Sequence, residues 1–247
     1  MAVVKRAGII FDFDDTLVYS YEQFVWAEEF FVAHMTKLGL YDEELLITAR
    51  ERDIANVRQA GYMAVECFPL ALIQTYKSYC YKYGRAPQAN EIRLLLRLGY
   101  QPFTNPPREM EGARELLRYL RSPQGGAWPL ILFTQGEQEI QQQRLNLSNL
   151  GDMFEVIKIV REKNDAELLA LLKEQQLEAI SSWYVGNGLK HDINPAIRAG
   201  LNAVHLLTGC WSYEDEKPGG AYHSISHLGQ VADLLRHNPP SQERGLR

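Results

Sequence analysis

The sequence predicts an α/β fold: a parallel sheet with helices on both faces, and an all-helical segment inserted after the first strand. Three observations lead there. Five short apolar runs of strand length punctuate the chain. Amphipathic stretches at helical spacing follow most of them, and this alternation argues for parallel strands joined by helical crossovers. One long stretch, residues 20–102, breaks the alternation and holds helical patterns only.

The first run, residues 7–13, rises from the N-terminus and meets Asp12, Asp14 and Asp15. Ionised carboxylates at the end of a buried run are costly unless paired or metal-bound. A compensator is expected, and a hard cation with oxygen ligands such as Mg²⁺ suits them. The insert then offers helices over 21–38, 42–60, 68–83 and 90–97, with turns at Gly39, Gly61, 84–87 and Gly99. Within it Tyr76, Tyr79 and Tyr83 share one helical face, which suggests core packing or a cleft-facing surface. Residues 101–107, rich in Pro, read as a hinge or return linker. Tyr19, Ser20, Tyr21 and Glu22 are the candidates for a hinge on the other side.

After the insert comes a helix over 109–121, with Met110, Ala113, Leu116, Leu117 and Leu120 at helical spacing. The second strand, 129–134, leads into a helix over 137–147. The third, 155–160, leads into one over 166–175, capped by Asn164 or Asp165. The fourth, 182–185, leads into one over 193–199, which Gly200 is placed to end. The fifth strand covers 203–207. The expected domains are a Rossmann-like core of residues 1–19 and 103–236, a helical domain of 20–102, and a polar, disordered tail of 237–247.

Composition narrows the function. The 247 residues suit one large α/β domain, or one domain with an insert. A net charge of −5 leaves no basic footprint for nucleic acid or an anionic membrane. No apolar stretch approaches the ~20 residues of a membrane span. Asp12 interrupts the N-terminal apolar run, which makes it a poor signal peptide. Cys67, Cys80 and Cys210 are odd in number and scattered, so they read as reduced thiols of a cytoplasmic protein without a zinc pattern.

Ligands of open α/β sheets bind beyond the carboxyl ends of the strands. There the first strand carries Asp12 and Asp14, and the second Thr134-Gln135-Gly136 before a helix. Arg161-Glu162-Lys163 follows the third, and Gly186-Asn187-Gly188 with His191 and Asp192 follows the fourth. Carboxylates, a hydroxyl beside a helix N-terminus, a cation and a carboxamide suit a phosphoryl group held beside a divalent metal. Lys163 is preferred over Lys158, which lies inside a strand run; His191 is expected to be exposed and idle.

With these residues in place, the sequence resembles the haloacid dehalogenase-like (HAD) hydrolase superfamily over nearly its whole length. Asp12, Asp14 and Thr16 match its DxDxT motif, Thr134 its second, Lys163 its third, and Gly186 with Asp192 its fourth. Asn187 stands where an Asp is typical, and the helical insert looks like the cap that many members carry. The resemblance implies a Mg²⁺-dependent phosphohydrolase acting on a small phosphorylated metabolite. Asp12 would be the nucleophile, Asp14 the general acid/base, Thr134 the phosphoryl donor contact and Lys163 the neutralising cation. Mg²⁺ would sit among Asp12, the backbone carbonyl of Asp14, Asn187 or Asp192, and waters. Asn187 brings an oxygen without a charge, so weaker metal binding than an Asp would give is expected. The cap would set the substrate and gate water. Dehalogenase members lack the second carboxylate of the first motif, which argues for phosphate chemistry. A phosphomutase and a non-catalytic phospho-ligand-binding protein remain the alternatives.

Overall fold

A computed structural model describes residues 5–208 and 216–237. Cys210 and the expected tail from residue 238 on lie outside them. The chain divides into two compact units, Met1–Tyr19 with Pro107–Arg247, and Ser20–Pro106.

The first unit is built on a six-stranded sheet, the expected α/β core. Its strands are β1 (Ile9–Phe11), β4 (Leu130–Gln135), β5 (Val156–Val160), β6 (Trp183–Gly186), β7 (Asn202–Leu206) and β8 (His223–Ile225). They lie in the order β5-β4-β1-β6-β7-β8, all neighbours parallel. β1 is therefore hydrogen-bonded on both sides, with Phe11 opposite Leu132 and Val185. Successive strand side chains point to opposite faces, and both faces here are buried. Ile9 and Phe11 join one apolar cluster with Leu116, Leu117, Leu120, Val231 and Leu235. Ile10 joins another with Leu168, Leu171 and Ala196. Those partners lie on α5 (Ala113–Arg121) and α9 (Gly229–His237) for the first face. For the second they lie on α7 (Asp165–Glu174) and α8 (Asn194–Arg198). Each such buried aliphatic side chain contributes about 1.5–3 kcal/mol.

Two further strands, β2 (Val18–Tyr19) and β3 (Arg108–Glu109), form an antiparallel pair. They carry the chain out towards residue 20 and back from residue 107. The Arg108 guanidinium lies 3.7 Å from the centre of the Tyr19 ring. This pairing corrects the helix expected from residue 109. Glu109 is held in β3, and the helix begins only at Ala113, after Gly112 in a left-handed conformation (φ +79°).

The second unit holds α1 (Tyr21–Lys37), α2 (Leu45–Ala60), α3 (Cys67–Lys82) and α4 (Ala89–Thr104). Tyr76 and Tyr79 pack in its core with Phe31, Met35 and Leu95, whereas Tyr83 is exposed. Cys67 and Cys80 are buried free thiols. The turn expected at Gly99 and the linker expected from residue 101 are both corrected. α4 runs through Gly99 and Pro102 to Thr104. Gly99 is a packing glycine, since a Cβ there would lie 2.4 Å from the Pro69 Cα of α3. Among the described residues, no helix is long and apolar enough to cross a membrane.

Candidate functional site

The carboxyl ends of β1, β4 and β6, with the loop after β5, bring one polar cluster together. Asp12 follows β1, its amide donating to the Val185 carbonyl at 2.9 Å. The next residues fold into a tight turn in which Asp15 takes a left-handed conformation (φ +55°) that Asp tolerates better than most. Asp15 is buried, its amide donating to the Val18 carbonyl and its own carbonyl accepting from the Thr208 hydroxyl. Within the turn, Thr16 places its hydroxyl 2.9 Å from Asp12 Oδ2 and 3.4 Å from Asn187 Oδ1.

Lys163 reaches this cluster from the loop after β5. That loop is tied to β4 by the Lys163 amide, which donates to Gln135 Oε1 at 2.9 Å, and α7 starts behind it with Asn164 as N-cap. Lys163 Nζ donates to Asp12 Oδ1 and, at 2.7 Å, to Asp192 Oδ1. Lys158 lies elsewhere, in a loose exposed pair with Glu174. Asp192 is delivered by a single wide helical turn, Leu189–Ile193, placed between β6 and α8. Its Oδ1 also accepts from the Tyr184 hydroxyl at 3.0 Å, and its Oδ2 accepts from the Gly188 amide at 2.9 Å. Gly186 makes room for it, since a Cβ there would stand 2.6 Å from the Asp192 side chain. Asn187 is steadied through its carbonyl, 2.8 Å from His205 Nε2. His191 differs from expectation. It is half-buried rather than exposed, and burial pulls its imidazole pKa below the usual value.

Burial dominates the electrostatics. Burial, opposed by Lys163 and reinforced by Asp192 and Asp14, raises the Asp12 carboxyl to about 7. For Lys163 burial works downward, but Asp12, Asp192 and Tyr184 hold its pKa well above the usual lysine value. Burial, with Asp192, also keeps the Tyr184 phenol neutral.

Asp14 has its own partners. Its Oδ1 accepts from Arg144 Nη1 at 2.5 Å and its Oδ2 from Gln141 Nε2 at 2.6 Å. The same Gln141 nitrogen is 2.9 Å from Thr134 Oγ1, at the end of β4. Gln141 and Arg144 lie on α6 (Gln138–Ser148) and escaped the sequence reading. A signal exists: the buried positions of α6 are Gln141, Arg144, Leu145 and Ser148, a mostly polar stripe at core-facing spacing. Tyr184, an ordinary strand tyrosine by pattern, carries no such signal.

The donor set admits a hard cation. Among the described residues no group of three His, Cys, Asp or Glu forms a ready cation cage. The Asp12 and Asn187 oxygens nonetheless converge on one hydroxyl. Mg²⁺ commonly takes one or two protein oxygens and keeps several waters. A second cation would also offset the burial and carboxylate repulsion acting on Asp12.

These residues lie on the kind of scaffold that the comparisons with known proteins identify. None of the curated proteins matches the chain. Among solved structures, a haloacid dehalogenase-like family hydrolase from Xanthomonas campestris is 22% identical, covering 95% of this chain and 96% of its own, with a TM-score of 0.71. The putative HAD-hydrolase YfnB from Bacillus subtilis, bound to magnesium, is 17% identical over 94% of this chain and 100% of its own, at 0.61. The L-2-haloacid dehalogenase from Xanthobacter autotrophicus is 12% identical over 92% and 97%, also at 0.61. At such identities the likeness is one of fold. The model of the haloacid dehalogenase-like hydrolases, however, matches residues 7–200, most of the sequence, and the chain belongs to that family of hydrolases.

Proposed function

We propose that the protein is a Mg²⁺-dependent phosphohydrolase of small phosphorylated metabolites, with Ser20–Pro106 as its cap. The observation that carries this reading is a second carboxylate, Asp14, two residues from the buried Asp12 and joined through one Gln141 nitrogen to the Thr134 hydroxyl. Displacement of halide needs a nucleophile but no acid for its leaving group. Cleavage of an alkyl phosphate ester, as in most metabolites, needs both, because the departing alkoxide oxygen must be protonated.

An Asp12 oxygen attacks phosphorus, and the bond from phosphorus to the ester oxygen breaks. That oxygen takes the proton of Asp14. In the second half, Asp14 takes a proton from water as the water attacks phosphorus. The bond to Asp12 breaks, releasing phosphate and restoring the carboxylate, so one hard step becomes two easier ones. Lys163 holds Asp12 in place and neutralises charge as a point cation. The Thr134 hydroxyl donates to a phosphoryl oxygen. Asp192 holds Lys163 against Asp12 through Oδ1. Asp12, the Asp14 carbonyl, and Asn187 or Asp192 are the oxygens that would hold Mg²⁺. When bound, the cation would supply charge stabilisation to the transferring phosphoryl group.

The test is hydrolysis of p-nitrophenyl phosphate with Mg²⁺. Wild type is expected to turn over, and Asp12→Asn to lose at least about 10³-fold, as expected for loss of a covalent nucleophile. Full turnover by Asp12→Asn would remove the nucleophile assignment. A wild type that binds phosphate but never hydrolyses the ester would point to a binding protein.

A further inference from the structure

Buried polar side chains on a helix cost stability unless they are satisfied. Of the polar residues on the buried stripe of α6, Ser148 is satisfied locally, donating to the Leu145 carbonyl at 2.7 Å. Gln141 and Arg144 instead reach out of their helix to Asp14. Arg144, with only 6% of its side chain exposed, places Nη1 2.5 Å from Asp14 Oδ1 and 2.9 Å from Gln141 Oε1. Gln141 Nε2 stands 2.6 Å from Asp14 Oδ2, 2.9 Å from Thr134 Oγ1 and 2.9 Å from the Gln135 carbonyl. The backbone is shaped for this. At Gly136, with φ of +145°, a Cβ would stand 2.7 Å from Gln141 Cγ.

Two consequences follow from counting protons. A carboxamide nitrogen has two hydrogens, and here it faces three acceptors, so its contacts must trade with one another. A threonine hydroxyl that accepts from Gln141 keeps its own hydrogen for a different acceptor. The Asp14 carboxylate, meanwhile, has both oxygens engaged by α6. Each oxygen keeps a lone pair beyond its α6 contact, so these contacts fix where the proton for a leaving group stands.

We propose that Arg144 and Gln141 are positioning residues for the acid/base Asp14. Arg144 latches its carboxylate between proton transfers, and Gln141 couples that latch to the hydroxyl of Thr134. The inference rests on the phosphohydrolase reading given above. Arg144 controls where the proton donor stands, so its loss weighs on esters whose leaving group needs a proton. Gln141 orients Thr134 as well, so its loss also weighs on phosphate affinity.

The experiment compares p-nitrophenyl phosphate, whose leaving group departs readily, with an alkyl phosphate, whose leaving group needs the proton. Arg144→Met is expected to lower kcat for the alkyl ester by about 10²-fold, the low end of an acid–base contribution. Its kcat for the nitrophenyl ester should fall by no more than about threefold, with KM near wild type for both. Arg144→Lys should recover most of the loss, because one nitrogen makes both contacts. Gln141→Met should raise KM for both esters. In parallel, side-chain couplings of Asp14 measured by NMR should report one rotamer in wild type and averaging in Arg144→Met.

Equal losses on both esters in Arg144→Met, no loss on either, or no recovery in Arg144→Lys would overturn the positioning role. If Arg144→Met does not fold, Gln141→Met and Arg144→Lys carry the test: an unchanged KM in the former, or averaged Asp14 couplings in wild type, overturns the latch. A wild type with Asp14 locked but no turnover of either ester overturns the phosphohydrolase reading, and with it the catalytic part of the latch, while the clamp itself stands.

Discussion

Lys163 sits between two buried carboxylates, and its removal would leave both without their cation. Breaking such a buried pair by deleting one partner costs about 3–5 kcal/mol. Without Lys163, which pulls it down, the buried Asp12 would have a folded-state pKa still further above its unfolded one, so the penalty grows as pH rises. Lys163→Met is therefore expected to lose more stability at pH 8 than at pH 5, measured by urea unfolding in the presence of a chelator. A second buried acid lies in the helical unit. Burial, and then Glu28, push Asp53 on α2 up from 3.8 to about 6. Glu28 itself is held in a fork by Arg50, at 2.8 and 2.6 Å. A carboxyl whose pKa is raised on folding stabilises the folded state below the unfolded pKa, and loses that contribution as pH climbs through the folded one. Against Asp53→Asn, wild type should thus lose ~1–3 kcal/mol between about pH 4 and pH 6 and then stay level. Thermal unfolding of the two proteins across that range measures it, and a flat difference would sink the assignment.

At the scale of elements, α3 and α4 meet where Gly99 faces Pro69. Gly99→Ala puts a methyl into backbone, and overpacking of this kind costs about 1–3 kcal/mol. The helical unit should melt earlier by that amount, read by circular dichroism or calorimetry. That contact also explains why the sequence reading stopped α4 short. A glycine followed by a proline three positions later looks like an end, whereas here the glycine serves a neighbour and the proline fits the last turn. β1, β4 and β6 were legible as apolar runs buried almost throughout, and β5 and β7 because apolar residues dominate them around Lys158 and His205. β2 and β3 are two residues each, too short for any period, and β8 (His-Ser-Ile) is nearly as brief. In the candidate site, the residues at strand ends were legible because topology gathers strand ends. Gln141 and Arg144 were not, because polar residues on a helix ordinarily read as its solvated side, and their spacing with Leu145 and Ser148 is a faint trace beside the tertiary contact with Asp14.

At the scale of the molecule, residues 20–106 leave and return through one antiparallel pair, with Tyr19 directly opposite Arg108. A two-residue turn suffices to join strands so arranged. Replacing residues 20–107 with Asn-Gly is expected to leave the six-stranded unit folded, with a cooperative thermal transition; an aggregated or molten product would show that the sheet depends on the helical unit. The same pairing bears on how the chain reaches its native state. Ile9 of β1 must find Leu130 of β4 across more than a hundred intervening residues, and the entropy of closing so long a loop slows any search. Helices make mostly local contacts and form early. Once α1–α4 have packed and Tyr19 has met Arg108, the effective path between β1 and β4 shrinks to little more than a single helix crossover. The stretch that most interrupts the sheet in sequence thereby becomes the shortcut by which its two central strands meet.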